Sequence, residues 1–263
     1  MTATLTNRYQ CKACRHAAPV FAPQCKGCKA WDTYQPCTPT AAPAAGVTRM
    51  IDPLPGVRQQ RVPCGLPWLD KAFAGGLVRG QRVLLGGQEG AGKTRLLLQL
   101  AHAWALSMRR VLIVSGEMQP ADLQAVARQL GAVHANMLLT GATDLDKLGG
   151  MLKAHNPAAV LVDSLNMLVD PGRRGDAGSN GQMKHCLARL GRLCSTARVP
   201  VVFLAHLNAR DAISGPRWLR HEVDAVALLS IDKHGRRLLK VSKNRHGPET
   251  QTSLTMTAKG LEP

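Results

Sequence analysis

Residues 82–108, RVLLGGQEGAGKTRLLLQLAHAWALSM, constrain the fold of this chain more than any other stretch. Three apolar residues, Val83, Leu84 and Leu85, run into Gly87-Gln88-Glu89-Gly90-Ala91-Gly92-Lys93-Thr94 and then Arg95, after which Leu96, Leu97, Leu100 and Ala101 recur at helical spacing. GxxxxGK[ST] between a strand and a helix is a phosphate loop. Glycines let backbone N–H groups wrap phosphate oxygens, and the helix N-terminus adds a favourable field. Gly87 to Arg95 are therefore expected to hold a nucleotide, ATP. Lys93 would reach the β and γ phosphates, and the Thr94 hydroxyl would ligate Mg2+.

A core able to handle phosphate follows in order. RVLIVSGE (110–117), AAVLVDSLN (158–166) and VPVVFLAH (199–206) are apolar runs of strand length, and helical patterns near 121–131, 144–155 and 181–197 alternate with them. That alternation predicts an α/β fold, a mostly parallel sheet with helices on both faces. Asp163 closes one strand and is the expected carboxylate for magnesium; Glu117 follows another and is placed to polarise an attacking water. Each also reads as a simple strand-end cap. On the last of these helices Met183, Leu187, Leu190 and Cys194 mark a core stripe, with His185, Arg189 and Arg192 on another face. After residue 224, DAVALLSID, RRLLKVSKN and TQTSLTMTA alternate apolar and polar residues and predict antiparallel strands at the sheet edge.

Ahead of this core stand Cys11, Cys14, Cys25 and Cys28, two CxxC knuckles. Two such turns aim four thiolates at one ion, the closed tetrahedral site that Zn2+ prefers, whereas a lone CxxC also fits a redox pair. Lys12, Arg15, Lys26 and Lys29 lie beside Trp31 and Tyr34. They read either as a nucleic-acid face or as charges that offset the thiolates. Cys37, Cys64, Cys186 and Cys194 lack such spacing and read as small buried residues. The Pro- and Ala-rich stretch after residue 36 reads as a linker, so the expected organisation is a zinc finger at 1–35, a linker at 36–60 and an ATPase domain at 61–263.

A formal charge of +17 points to a polyanionic partner. Six basic residues oppose one acidic residue in 1–50, twelve oppose nine in 51–170, and sixteen oppose seven in 171–263, so the basic excess lies at the two ends. The first ten residues lack an apolar signal region, and no apolar run has the length of a membrane span. A soluble, cytoplasmic protein that does not engage membranes is expected.

Read together, the CxxC pair, CKGCKAW, GLPWLDKAFAGGLVRG, the phosphate loop, VSGE, VDSLN, GSNGQ, SGPRWLRHEVDAV, KNRHG and MTAKGL resemble, in order and spacing, the bacterial RadA (Sms) family of DNA-repair ATPases in the RecA superfamily. The resemblance implies a zinc finger on a RecA-like P-loop core. It also implies a hexameric ring that hydrolyses ATP and moves as a branch-migration motor or helicase on single-stranded or branched DNA, with recombinase or replication proteins as further partners. It places the loops at 170–181 and 208–217 on the DNA path, making Arg173, Arg174, Arg210 and Arg217 candidate phosphate contacts; loops of this kind are otherwise plain connections. It makes Lys243 and Arg245 of VSKNRHGPE candidate fingers acting on a neighbouring subunit's nucleotide, where composition alone reads a β-turn. The chain departs from the family at His246, where phenylalanine is usual, at Gln88-Glu89 in place of Asp-Pro, and at Asn208-Ala209-Arg210 in place of Thr-Lys-Glu. The family ordinarily continues into a Lon-protease-like domain at about Pro263, so a short form is expected. The alternative is an ATP-dependent DNA-binding or loading factor of KaiC type, without translocation.

Overall fold

The computed structural model describes residues 9–18, 20–36, 60–107, 109–206 and 218–263. The chain divides into two compact units, Met1–Arg58 and Gln59–Pro263. Most of the expected linker, and Cys37 with it, lies outside the described residues.

In the first unit β1 (Tyr9–Cys11) pairs antiparallel with β2 (Ala17–Ala18) and with β3 (Tyr34–Pro36). A core of Cys11, Ala18, Cys25 and Tyr34 is too small to stabilise a fold by apolar burial alone. Cross-linking by metal is the usual remedy at this size.

The second unit opens with a two-stranded ribbon, β4 (Arg61–Val62) against β5 (Leu77–Val78), around α1 (Pro67–Ala72). Pro67 sits in the first turn of α1, where its missing N–H costs nothing. Then follow β6 (Arg82–Gly87), α2 (Lys93–Leu106), β7 (Val111–Ser115), α3 (Pro120–Gln129), β8 (Met137–Thr140), α4 (Leu145–His155), β9 (Ala159–Asp163), α5 (Asn180–Thr196), β10 (Val201–His206), α6 (Trp218–Glu222), β11 (Ala225–Ile231), β12 (Arg237–Asn244), β13 (Thr250–Thr257) and β14 (Gly260–Glu262). Among the described residues these strands form a nine-stranded sheet ordered β14-β13-β12-β11-β6-β10-β9-β7-β8.

The strands from β8 to β11 in that order run parallel. Their continuous apolar sequences follow from burial on both faces. Val83, Leu85, Ile113, Leu161 and Leu204 face α1, α2 and α3, while Leu84, Val114, Val162, Phe203 and Val226 face α4, α5 and α6. The three segments after residue 224 extend the sheet as expected, with one difference: β11 joins β6 in parallel, and only from β12 onward are the pairings antiparallel. Strand β8 was not anticipated, because its half-buried MLLT carries no alternation.

Candidate functional site

Phosphate-binding loops sit where a parallel strand hands over to a helix, and β6 runs directly into such a loop ahead of α2. Gly92 caps α2 at φ 103°, a conformation suited to glycine, and a Cβ there would lie 2.4 Å from the Met256 methyl. Gln88 anchors the loop to the next strand: its N–H donates to the Leu229 carbonyl (3.3 Å), and its Oε1 accepts from the Ile231 N–H (3.0 Å). The Gln88-Glu89 departure thus includes a side chain that ties the loop to β11.

Lys93 is buried, and its Nζ donates to the carbonyls of Gly87 (2.8 Å) and Gln88 (2.9 Å). Burial lowers the pKa of this ammonium, an effect opposed by Asp163, Glu117 and Glu89. The Thr94 hydroxyl donates to Asp163 Oδ2 at 2.9 Å. Asp163 ends β9, two strands from β6, and is buried. Glu117 follows β7 on the same side and accepts a hydrogen bond from the Ser164 hydroxyl. Gly116 lets it approach: a Cβ there would lie 2.4 Å from Met167 Cβ and 2.8 Å from Thr143 Cγ2.

Glu89, Gly90, Gly92, Lys93, Thr94, Arg95, Glu117 and Asp163 line one open cleft of about 550 Å³. Gly87 and Gln88 lie behind it as acceptors for Lys93, and Ala91 is buried beneath it. Arg237 and Met256 complete the lining, and sequence reasoning missed both. The available signal was Arg237 itself, a cation at the head of the buried stripe Leu239–Val241 on β12.

Lys243 and Arg245 lie elsewhere. Lys243 pairs in register with Val226, which pairs with Leu84 near the start of β6, so both cations occupy the edge opposite the phosphate loop. A β-bulge at Val226/Ala227 turns Lys243 toward α6, where its Nζ donates to the carbonyls of Arg220 (2.6 Å) and Val223 (2.8 Å). Arg245 meets Asp224 at 3.2 Å and donates to the His221 carbonyl at 3.2 Å. Asp224 also binds Arg82. Residues 245 to 247 form the expected turn, fastened by Arg61, which donates to the carbonyls of Phe73 (2.8 Å), Gly76 (3.1 Å) and His246.

Arg173 and Arg174 are exposed in the loop between β9 and α5, whereas Arg210 and Arg217 lie outside the described residues. Gln182, buried on α5, shapes that loop by donating to the carbonyls of Asp170 (3.3 Å), Arg173 (2.8 Å) and Gly175 (3.1 Å). His185 and Arg189, on the basic face of α5, bind the buried Asp170 at 3.0 and 2.8 Å, so this part of the face is engaged within the chain.

In the first unit the sulfurs of Cys11, Cys14, Cys25 and Cys28 all lie within 4.8 Å of one another. Cys11 and Cys28 are 3.7 Å apart, and Cys14 and Cys25 are 3.6 Å apart. Arg15 and Lys29 follow the knuckles in matching left-handed conformations, φ 60° and 64°, each N–H returning to the first cysteine of its knuckle at 2.9 Å. A hydrogen bond with the Thr33 hydroxyl brings the Cys11 pKa down to about 6. Despite a hydrogen bond from the His16 backbone, crowding by Cys28 and Cys25 pushes Cys14 up to about 12. Four such sulfurs deprotonate together only around a cation, so the donor set fits zinc. Trp31 is exposed, but Tyr34 is buried and hydrogen-bonded to His16 Nδ1 at 2.7 Å, which removes it from the expected nucleic-acid face. Among the described residues, no helix is long and apolar enough to cross a membrane.

A family profile described as an AAA domain matches residues 51–212, more than half of the chain. The chain is 29% identical over 269 residues to the DNA repair protein RadA of Bacillus subtilis (strain 168), covering 97% of this chain and 59% of that protein. It is 30% identical over 257 residues to the DNA repair protein RadA of Mycobacterium tuberculosis (strain ATCC 25618 / H37Rv), covering 93% of this chain and 54% of that protein. It is 28% identical over 270 residues to the DNA repair protein RadA of Chlamydia pneumoniae, covering 100% and 60%. The RadA resemblance therefore runs along nearly the whole chain, which spans somewhat over half the length of these relatives.

Proposed function

We propose, for a chain that belongs to the AAA domain family and carries a RecA-like core, a DNA-dependent ATPase acting in DNA repair and recombination. The observation that carries this reading is the convergence of Lys93, Thr94, Asp163 and Glu117 on one cleft, from three different strand ends. The N–H groups of residues 87 to 95 bind the phosphates, and Lys93 exchanges its loop carbonyls for β- and γ-phosphate oxygens. Thr94 and Asp163 hold magnesium, which when bound neutralises charge on the phosphate oxygens. Glu117, steadied by Ser164, orients the attacking water and accepts its proton.

Lys243 and Arg245 sit about 20 Å from the head of β12 on the opposite sheet edge, so any action on a nucleotide is on a neighbour's, in a ring of copies. Zinc held by Cys11, Cys14, Cys25 and Cys28 folds the first unit. Arg173, Arg174, Arg210 and Arg217, with the basic excess of residues 171–263, serve DNA phosphates. The names of the relatives support repair as the process and DNA as the partner.

A second reading, an ATP-dependent DNA-binding or loading factor, is favoured by one observation. Both finger candidates are bound within their own chain, Arg245 to Asp224 and Lys243 to two carbonyls. Two assays separate the readings. ATP turnover is measured with and without single-stranded DNA, and branch migration is followed with ATP and with a non-hydrolysable analogue. A motor shows DNA-stimulated turnover and migration with ATP alone; binding without movement supports the loading factor.

A further inference from the structure

Arg237 is the feature of the cleft that the phosphate-loop pattern leaves unexplained. On β12 residues 237, 239 and 241 share a face, and Leu239 and Val241 are buried in the layer under α2. Its neighbours in register, Ile231 and Leu254, belong to that same apolar layer. A cation at the head of such a stripe is costly unless water or a ligand receives its donors. The structure satisfies Arg237 only in part: NH1 donates to the Gly235 carbonyl at 2.7 Å, while Nε is buried without a partner. Gln88 fixes the distance between this cation and the loop, because its side chain binds the N–H of Ile231, the residue facing Arg237.

Sheet order tells which end of a nucleotide Arg237 addresses. Strand β6 lies between β10 and β11; Asp163 and Glu117 end strands beyond β10, whereas Arg237 stands beyond β11. With strands about 4.8 Å apart, the carboxylates and the arginine lie on opposite flanks of the loop, Asp163 and Arg237 each about 10 Å out and Glu117 about 14 Å out. Magnesium and the attacking water belong to the carboxylate flank, and with them the terminal phosphate. The nucleoside end then runs across the loop toward β12 and β13, where Met256 lies against Gly92.

We propose that Arg237 is a nucleotide-binding residue acting within its own subunit, its guanidinium donating to the phosphate nearest the ribose. Met256 gives the nucleoside an apolar wall. The proposal rests on the phosphate-loop reading above. It assigns the two cation sets of this chain different work: Arg237 holds the nucleotide of its own subunit, and Lys243 and Arg245 face away from it.

The test is equilibrium binding of ADP and of ATP to the intact protein and to Arg237→Ala, Arg237→Gln and Lys93→Ala, with thermal melts as a folding check. A phosphate next to the ribose is common to both nucleotides. Arg237→Ala should therefore weaken ADP and ATP by the same factor, about 10- to 100-fold, as expected for a lost hydrogen bond to a charged group. KM for ATP should rise by a similar factor. Arg237→Gln, which keeps two methylenes of the stem and a neutral amide donor, should fall between Arg237→Ala and the parent. Unchanged binding by both Arg237 variants overturns the proposal, as does a loss confined to ATP, which would move the contact to the terminal phosphate. If Lys93→Ala loses affinity while both Arg237 variants keep it, this inference fails and the phosphate-loop reading stands. If Lys93→Ala binds like the parent, the phosphate-loop reading fails and the inference with it.

Discussion

Asp170 carries a buried carboxylate with three partners, one from its own loop and two from α5: the Gly172 N–H at 3.0 Å, His185 at 3.0 Å and Arg189 at 2.8 Å. Burial pushes its pKa up, but the Arg189 guanidinium, the Gly172 N–H and His185 outweigh it, and the folded value lies below the ordinary one. A group shifted that way adds stability that is complete above its unfolded value, near 3.9, and fades as pH falls through the folded value. Asp170→Ala should lower stability in urea denaturation at pH 7 by about 1–3 kcal/mol. That gap should close below about pH 4. A gap that persists at low pH would mean that Asp170 acts by shape and not by charge. At the same scale, Lys93→Ala and Glu117→Gln should each reduce steady-state ATP turnover by about 10²–10³-fold or more, the cost of removing one group that meets developing charge. Retained turnover in Lys93→Ala would remove the phosphate-loop assignment.

Elements explain why some of these residues were legible in the sequence and others were not. Strands β6, β7, β9 and β10 are buried on both faces, so their apolar runs stand out, and Asp163, which ends β9, and Glu117, which follows β7, inherit a place. Strand β12 is ambiguous in sequence because it changes face midway. The bulge beside Val226/Ala227 separates the stripe of Arg237, Leu239 and Val241 from Lys243, which points to α6. The helix α5 stripe is as expected, with Met183, Leu187, Leu190 and Cys194 buried, but its basic face binds Asp170 and Asp146 through Arg189. In the first unit, a metal-dependent fold predicts that a chelator abolishes the structure of residues 9–36 and leaves the melting of the second unit nearly unchanged. Circular dichroism and zinc release, followed together, check this; an ordered amino terminus without zinc would refute the cage.

For the whole molecule, the charge of +17 and its concentration at the two ends predict DNA affinity that falls steeply with salt. Six to ten phosphate contacts would cost about 10³–10⁵ in affinity between 50 and 200 mM salt. A salt-insensitive interaction would rule out phosphate binding by the basic segments. The proposed action of Arg245 on a neighbour's nucleotide predicts an effect that depends on assembly. Arg245→Ala should leave nucleotide binding intact and, in assembled protein, lower turnover by as much as the roughly 10³–10⁵ attributed to an arginine finger. Mixing it with a Lys93→Ala chain should restore partial activity, since under that proposal each variant lacks a different half of a shared site. Unchanged turnover in Arg245→Ala would leave that segment as the turn its Asn, Gly and Pro describe.

By itself the sequence determined whatever depends on local spacing. The phosphate loop, the paired CxxC knuckles and the alternation of apolar strands with helices each follow from residues within a few positions of one another, because backbone geometry ties such spacings to one local shape. Tertiary structure decided what depends on strand order and bulges. Only the position of β12 beyond β11 brings Arg237 to the phosphate loop, only the bulge sends Lys243 to α6, and only the packing of α5 against Asp170 turns a basic face into an ion-pair network. The physical reason is the same in each case. These contacts join residues far apart in the chain, and their partners are chosen by which buried faces meet, a choice that no local pattern encodes.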